Sequence, residues 1–245
     1  MARKCIIGVM GGDENVGAAS QDAKQLGALI IRAETILLTG GRPGSGSEVK
    51  NAAMQGANDE QSPGKPARLI GILPGDQSRW DTHIPHTLFL TTGLSGKERD
   101  AINGMTPDVL VFFAGSSGTL CELTFALLAE KPILCWKATK VLHAKFKEHT
   151  TRDDAIDDYL HDALEACRTK LVSPTGVTRD TSVDMLKVML DNKLRGASDF
   201  NGTIDQVVNA AMNLITMPLS DSGFPGFQSE PGSKQKFEAI VRSIS

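Results

Sequence analysis

The residues best suited to chemistry lie in a short turn of small residues, Ala114 to Gly118, which is followed by Thr119 and Glu122. The turn comes directly after an apolar run, Val109 to Phe113, and a helical pattern begins at its end. Backbone N–H groups at the start of a helix bind anions, and small side chains let an anion approach them. We therefore predict an anion-binding site formed by Gly115, Ser116, Ser117, Gly118 and Thr119.

Glu122 has two interpretations. Thr119-x-x-Glu122 matches a capping box, in which the threonine caps the helix and the glutamate binds back to the N–H group of the cap. The other interpretation is a carboxylate held beside a bound phosphate and sugar, where it could take part in catalysis. Both interpretations remain open from these residues alone.

Two other glycine turns precede this one along the chain. The first follows the apolar run 5–10, and the second, which contains Arg42, follows the run 36–39. An arginine can bind a phosphate through two hydrogen bonds. The first turn lacks a complete G-x-G-x-x-G pattern and the second lacks the Gly-Lys-Ser/Thr ending of a P-loop, which disfavours NAD binding and nucleoside triphosphatase activity. The ligand-binding residues predicted in these turns are Gly11, Gly12, Gly40, Gly41, Arg42 and Gly46.

Short apolar runs alternate with helical patterns along the first 136 residues. Runs of this kind are typical of strands that are covered on both faces. Strands are predicted at 5–10, 36–39, 69–73, 88–91, 109–113 and 133–136, and helices at 17–33, at 48–57 and from Ser95 and Thr119. The alternation predicts an α/β fold with a doubly wound, mostly parallel sheet of the Rossmann type. In such a sheet the glycine turns meet at the carboxyl edge, where they can share one crevice.

The second half of the chain is predicted to add helices and a tail. Helical patterns at 138–170, 178–194 and 202–215 predict extra C-terminal helices, and the residues from 216 to 245 include a stretch rich in Ser, Gly and Pro. We therefore predict a single nucleotide- or phosphate-binding domain over 1–215. Its core covers 1–136 and its helical extension about 137–215, and 216–245 form a loosely held tail.

Composition argues against several classes of function. Lys and Arg number 26 against 29 Asp and Glu, and no dense basic block occurs, so nucleic acid is not an expected partner. No apolar run approaches the roughly 20 residues of a membrane span, and the first run is too short for a signal peptide. The four cysteines form no C-x-x-C pair, and His83-x-x-His86 lacks a further ligand, so no metal site is predicted. We expect a cytoplasmic protein that binds a phosphorylated small molecule.

Together these motifs resemble the LOG-like, or lysine-decarboxylase-like, Rossmann superfamily, and the resemblance covers residues 5 to about 136. The motifs that carry it are Gly40-Gly41-Arg42, Gly71-Ile72-Leu73-Pro74, Thr92-Gly93-Leu94, Glu98-Arg99, and Gly115 through Thr119 with Glu122. The superfamily includes nucleoside-monophosphate phosphoribohydrolases and molybdenum-cofactor carrier proteins, and this sequence looks more similar to the carriers. The resemblance also implies a homodimer or a higher homo-oligomer.

The motif of the hydrolases, P-G-G-x-G-T-x-x-E, is only partly present. Ala114 and Ser116 stand in place of Pro and Gly, and Cys121 stands in place of the first of two adjacent glutamates. Asp100 stands in place of the lysine that follows the arginine on the preceding helix. These differences remove one carboxylate and one cation from the site, while a site made of backbone groups is unaffected. We therefore rank binding above hydrolysis.

The resemblance leads to two hypotheses about function. The first is a binding protein of the molybdenum cofactor carrier kind, or a nucleotide-binding protein, that needs no cofactor of its own and holds the molybdenum cofactor or a nucleoside monophosphate as its ligand. The alternative is an N-glycosyl hydrolase that cuts a nucleoside 5′-monophosphate into base and ribose 5-phosphate. In the hydrolase, Glu122 would support cleavage of the glycosidic bond and Arg99 would anchor the ribose or the phosphate.

Overall fold

A computed structural model of the protein describes residues 3–12, 17–40, 49–62, 64, 66–75, 84–94, 96–129, 131–138, 140–142, 200 and 202–216. The predicted helix at 178–194, nearly all of the predicted tail, and the predicted ligand-binding residues Gly41, Arg42 and Gly46 lie outside the described residues.

Each strand predicted from the sequence is present, with boundaries shifted by no more than one residue at either end. The strands are β1 (Ile6–Met10), β2 (Ile36–Thr39), β3 (Leu69–Leu73), β4 (Thr87–Thr91), β5 (Val109–Phe112) and β6 (Ile133–Cys135). The described helices are α1 (Gly17–Arg32), α2 (Val49–Glu60), α3 (Gly96–Met105), α4 (Ser117–Leu128) and α5 (Ile204–Thr216). None of these described helices is long and apolar enough to cross a membrane.

The six strands form one sheet in the order β4-β3-β2-β1-β5-β6, and every neighbouring pair is parallel. The predicted α/β fold of the Rossmann type is therefore confirmed. Along the chain, β2, β3 and β4 are added one after another on one side of β1, and β5 and β6 are then added on its other side. Ligands of open α/β sheets bind outside the carboxyl ends of the strands at such a reversal of strand order. In this sheet the reversal lies between β1 and β5, so a ligand is expected at the turns that follow these two strands.

Helices cover both faces of the sheet, as the buried apolar strands at its centre require. All residues of β5 are buried, and they alternate between two hydrophobic cores. Val109 and Val111 belong to the core shared with α1, α2 and α5. Leu110 and Phe112 belong to the core shared with α4, against which Ile102 of α3 also packs. Among the described residues, the sheet therefore separates the two helical layers along its length.

Helices α1 and α2 cross with their backbones in contact. A Cβ atom at Gly27 would overlap the carbonyl oxygen of Ala53, and one at Gly56 would overlap the carbonyl oxygen of Lys24. Both positions therefore require glycine, because any side chain would push the helices apart. The contact fixes α2, and with it Lys50 in its first turn, relative to α1 and the sheet.

Helix α5 packs into the same core as the elements of the first 136 residues. Its residues Val207 and Ala211 are fully buried in the core with α1 and α2. Phe200, which precedes the helix, donates its N–H group to the carbonyl oxygen of Cys135 at 3.0 Å, and its ring lies 6.3 Å from that of Trp136. The chain therefore returns to the β6 side of the sheet before α5 begins.

Candidate functional site

The turns after β1 and β5 meet where the strand order reverses. Gly12 donates its N–H group to the carbonyl oxygen of Ala114 at 3.1 Å and accepts a hydrogen bond from the N–H group of Val49 at 3.4 Å. A Cβ atom at Gly11 would lie 2.6 Å from Cγ1 of Val49 and 2.9 Å from Cβ of Phe113. Close packing and hydrogen bonding thus explain both glycines, and their contact with a ligand stays a prediction.

Helix α4 begins at Ser117, two residues earlier than the sequence pattern predicts. The N–H group of Leu120 donates to the carbonyl oxygen of Ser116 at 3.2 Å, and the N–H groups of residues 117–119 precede this bond. The first N–H groups of a helix have no acceptor within it and carry the positive end of its dipole. Their position at the reversal of strand order fits the predicted anion site.

Thr119 lies beneath this turn and is buried. A Cβ atom at Gly115 would overlap the hydroxyl oxygen of Thr119 and would lie 2.7 Å from the backbone nitrogen of Gly12. At Gly118 a Cβ atom would come no closer than 3.6 Å to a described atom, Oδ2 of Asp100. Gly115 is therefore required by packing, whereas the start of the helix at Gly118 has room for a small addition.

Glu122 is fully buried and takes no part in capping. Its Oε1 atom accepts hydrogen bonds from Nζ of Lys50 at 2.8 Å and from Nδ2 of Asn103 at 2.9 Å. Its Oε2 atom is buried and has no hydrogen-bond partner within the described part of the chain. The capping-box interpretation of Thr119 and Glu122 is therefore wrong, because the helix starts before Thr119 and side chains of α2 and α3 bind the carboxylate.

Arg99 and Asp100 of α3 adjoin this carboxylate. Arg99 donates from Nη1 to the carbonyl oxygen of Gly40 at 2.8 Å and from Nη2 to Oδ1 of Asp100 at 3.3 Å. We call the five side chains at this edge of the sheet the buried charge cluster. Its members are Lys50, Arg99, Asp100, Asn103 and Glu122.

Gly40, at the end of β2, lies directly against the buried charge cluster. A Cβ atom at this position would lie 2.8 Å from Nδ2 of Asn103, 3.1 Å from Nζ of Lys50 and 3.3 Å from Oε1 of Glu122. The glycine predicted to bind a ligand is thus needed to let the cluster form. It is the one residue of its turn that the structure describes, so whether Gly41, Arg42 and Gly46 contact a phosphate stays a prediction.

Several buried polar atoms at this edge have no hydrogen-bond partner among the described residues. They are Oγ1 of Thr39, Nε of Arg99, Oδ1 of Asn103 and Oε2 of Glu122. An unpaired buried polar group costs roughly 1–3 kcal/mol, so native proteins usually pair such groups with protein, water or ligand. Two acceptors and one donor, together with one hydroxyl group, are therefore open at this edge to water, to a ligand or to residues outside the described part of the chain.

The protonation of Asp100 sets the charge of the cluster. Burial raises the pKa of its carboxyl group from 3.8 to about 7, and the nearby carboxylate of Glu122 also raises it. Lys50 and Arg99 act in the opposite direction and lower this pKa. When Asp100 is protonated, two cations stand against one carboxylate, so the cluster is positive; when Asp100 is ionised, the charges balance.

Lys50 and Asn103 are not identified by the sequence patterns, and Asp100 enters only as a departure from a family motif. For Asn103 a signal exists, because it follows Arg99 by four residues and so shares its helix face. For Lys50 the signal is weaker. A lysine in the first turn of a helix faces the unfavourable end of the dipole, and Lys50 directly follows the glycine turn.

A family model matches the part of the chain that contains the candidate site. The model of the SLOG cluster4 family matches residues 4–162. No curated protein matches the chain. The structure of the molybdenum cofactor binding protein from the phototrophic bacterium Rippkaea orientalis is 34% identical, with a TM-score of 0.48, and the match covers 56% of this chain and 78% of that chain.

A second solved structure, the Moco carrier protein from Chlamydomonas reinhardtii, is also 34% identical. Its TM-score is 0.47, and the match covers 58% of this chain and 84% of that chain. Because both TM-scores are low, the assignment rests on the family model, which matches more than half of the chain. The protein belongs to the SLOG cluster4 family of the LOG-like superfamily.

Proposed function

We propose that the protein binds a phosphorylated small molecule at the carboxyl edge of its sheet and carries it without changing it. The observation that carries this proposal is the position of the start of α4 beside a buried charge cluster in which three polar atoms, Nε of Arg99, Oδ1 of Asn103 and Oε2 of Glu122, have no partner among the described residues. The backbone N–H groups of residues 117–119 suit phosphate oxygens. The unpaired atoms of the cluster suit the polar groups of the attached moiety.

The molybdenum cofactor is the first ligand to test, because the motifs at 40–42 and 115–119 resemble those of molybdenum cofactor carriers. Pterins carry N–H donors, and nucleoside monophosphates carry hydroxyl and N–H donors. Either class would supply what Oδ1 of Asn103 and Oε2 of Glu122 lack. A nucleoside monophosphate is therefore the second ligand class to test.

The arrangement of Glu122 is compatible with both binding and hydrolysis. Binding is ranked first because Cys121 and Asp100 replace a carboxylate and a cation of the hydrolase motif. Lys50 and Asn103 already bind Oε1, so Oε2 is the atom that remains for a substrate or a water molecule. A general base must lie within hydrogen-bond reach of the water that it activates. Hydrolysis of a nucleoside monophosphate remains the alternative, because Oε2 is buried, has no partner among the described residues and could act as such a base.

We further propose that the protein acts as a homodimer or higher homo-oligomer, as the resemblance to the superfamily implies, and that it acts in the cytoplasm, as expected from the sequence. Leu88 and Leu90 support this proposal, because they lie on the edge strand β4 and are 51% and 43% exposed. Sedimentation velocity on the purified chain tests it, and a monomer at all concentrations would contradict it.

The test of function combines a binding measurement with a product measurement. Thermal unfolding is followed with the molybdenum cofactor, AMP and GMP, and the nucleotide samples are then separated by chromatography to detect free base. We expect one of these ligands to raise the unfolding temperature, with no base released. A variant with a surface change, Lys24→Gln, should respond to ligand as the wild type does.

Two results would contradict the proposal that the protein carries its ligand unchanged. Release of adenine or guanine that disappears in Glu122→Gln would make the protein a phosphoribohydrolase, because the Gln side chain cannot act as a base. No thermal shift with any of the three ligands, in the wild type and in Lys24→Gln alike, would contradict a phosphate-binding site at this edge.

A further inference from the structure

Asp100 lies where a bound anion would have to compete with it. Its Oδ2 atom is 3.6 Å from the place that a Cβ atom on Gly118 would occupy, and Gly118 is in the first turn of α4. Its Oδ1 atom accepts a hydrogen bond from Nη2 of Arg99. The start of the helix and the arginine, the two features that would attract a phosphate, thus already face a carboxyl group of the protein.

We propose that Asp100 is a specificity-determining residue of the anion site, which admits a phosphate or sulfate group only when its carboxyl group is protonated, so that binding takes up one proton. The inference rests on the proposed function, because it requires an anion at the start of α4. A protonated carboxyl group can donate a hydrogen bond to an oxygen of the anion, whereas a carboxylate repels the anion.

Charged groups face Asp100 from each of the three helices around it. Arg99 comes from α3, Lys50 from α2 and Glu122 from α4. Lys50 and Glu122 form an ion pair with 2.8 Å between Nζ and Oε1, and the pair is neutral as a whole. The net charge beside the start of α4 is therefore set by Arg99 and Asp100. Protonation of Asp100 leaves the guanidinium uncompensated and so favours an anion.

The proton comes from solvent as the anion enters and returns to solvent as the anion leaves, and no covalent bond changes. Burial and Glu122 raise the pKa of Asp100 to about 7, which places the change in the neutral range. Affinity for a dianion should therefore be constant at low pH and fall about tenfold for each pH unit above the pKa. In a site without this carboxyl group, the affinity for sulfate would not fall with pH in this way.

The probe is sodium sulfate, because sulfate remains a dianion across the neutral range and any proton taken up must come to the protein. Isothermal titration calorimetry in two buffers of different ionisation enthalpy gives the number of protons bound per sulfate. At about pH 8 the wild type should take up close to one proton, and Asp100→Asn should take up none. Asp100→Asn should also bind sulfate at least about ten times more tightly than the wild type at this pH.

The matched control is Asp59→Asn, which neutralises an exposed aspartate on the outer side of α2. It should keep the proton uptake and the pH dependence of the wild type.

Sulfate binding by the wild type without proton uptake would overturn the role of Asp100 while leaving the anion site intact. If neither the wild type nor Asp100→Asn binds sulfate, AMP, GMP or the molybdenum cofactor at any pH, the proposed function fails and this inference fails with it. Should Asp100→Asn not fold, the proton count of the wild type decides.

Discussion

The described residues include an exposed ion pair on the surface and a buried one at the candidate site. On the outer side of α1 and α2, Nζ of Lys24 lies 2.9 Å from Oδ2 of Asp59, and the side chains are 48% and 52% exposed. At the carboxyl edge, Nζ of Lys50 lies 2.8 Å from Oε1 of Glu122, and the side chains are 8% and 0% exposed. The two distances are similar, so burial is what separates the pairs.

The difference in burial changes what each ion pair contributes to stability. An exposed pair contributes little to stability, because water screens its charges. A buried pair requires removal of two charges from water, and apolar residues of the same size would often give a fold that is at least as stable. The Lys50–Glu122 pair lies beside polar atoms that have no partner among the described residues, and we proposed above that a ligand binds there.

The largest effect is expected from Lys50→Met, which leaves the carboxylate of Glu122 buried without its cation. We expect the free energy of unfolding to fall by roughly 3–5 kcal/mol, as measured by urea denaturation. The double variant Lys50→Met/Glu122→Leu should regain most of this loss. A loss below about 1 kcal/mol in the single variant would show that the pair is no more important than a surface pair.

Asp100→Asn should change how stability depends on pH. In the folded protein the pKa of Asp100 is raised from 3.8 to about 7, so between these values the folded state holds a proton that the unfolded state has lost. The free energy of unfolding of the wild type should therefore fall as the pH rises through this window. The fall amounts to at most roughly 4 kcal/mol. Asp100→Asn should lack it, and parallel pH curves for the two proteins would contradict the assignment.

Gly118→Asp tests whether the start of α4, rather than the cluster beside it, binds the anion. The added carboxylate would stand at the positive end of the helix dipole, so affinity for sulfate or AMP should fall about tenfold or more in calorimetry. Gly118→Ala is the matched control, because a Cβ atom at this position is accommodated. Equal loss in both variants would mean that shape and not charge is responsible. Gly115 is unsuitable for this test, because any side chain there would overlap Thr119.

The smallest effect is expected from Lys24→Gln on the surface of α1. The change breaks the exposed pair with Asp59, and the free energy of unfolding should fall by no more than about 0.5 kcal/mol in urea denaturation. A loss as large as that of Lys50→Met would remove the distinction between the two kinds of ion pair.

The fold is predictable from the sequence because its signals are local. The four residues of β5 are apolar and bounded by Pro107-Asp108 and by the small-residue turn, and a buried strand is the structure that fits such a run. The turn that follows is predicted for the same reason. The order of the strands carries no local signal, since it depends on which distant segments pair.

The site is only partly predictable, because its contacts join distant parts of the chain. The spacing of Thr119 and Glu122 leaves open a local capping interaction or a place beside a phosphate, and it gives no sign that the carboxylate pairs with Lys50, 72 residues away. Burial at the strand ends decides this outcome, since it brings α2 and α3 to the carboxylate. The resemblance to the LOG-like superfamily identifies Arg99 and Glu122 as candidates, but neither it nor local spacing identifies the residues that hold them.

The backbone contact of α1 and α2 at Gly27 and Gly56 has a consequence for motion. With no side chains between the helices at these points, neither helix can slide without breaking contacts along the other, so the pair should open only when the whole protein unfolds. We expect their amide hydrogens to exchange with deuterium together and slowest, and those of the turn at 114–118 to exchange sooner. Lys50 would then be the fixed wall of the site, and entry and exit of a ligand would depend on movement of α3 and α4.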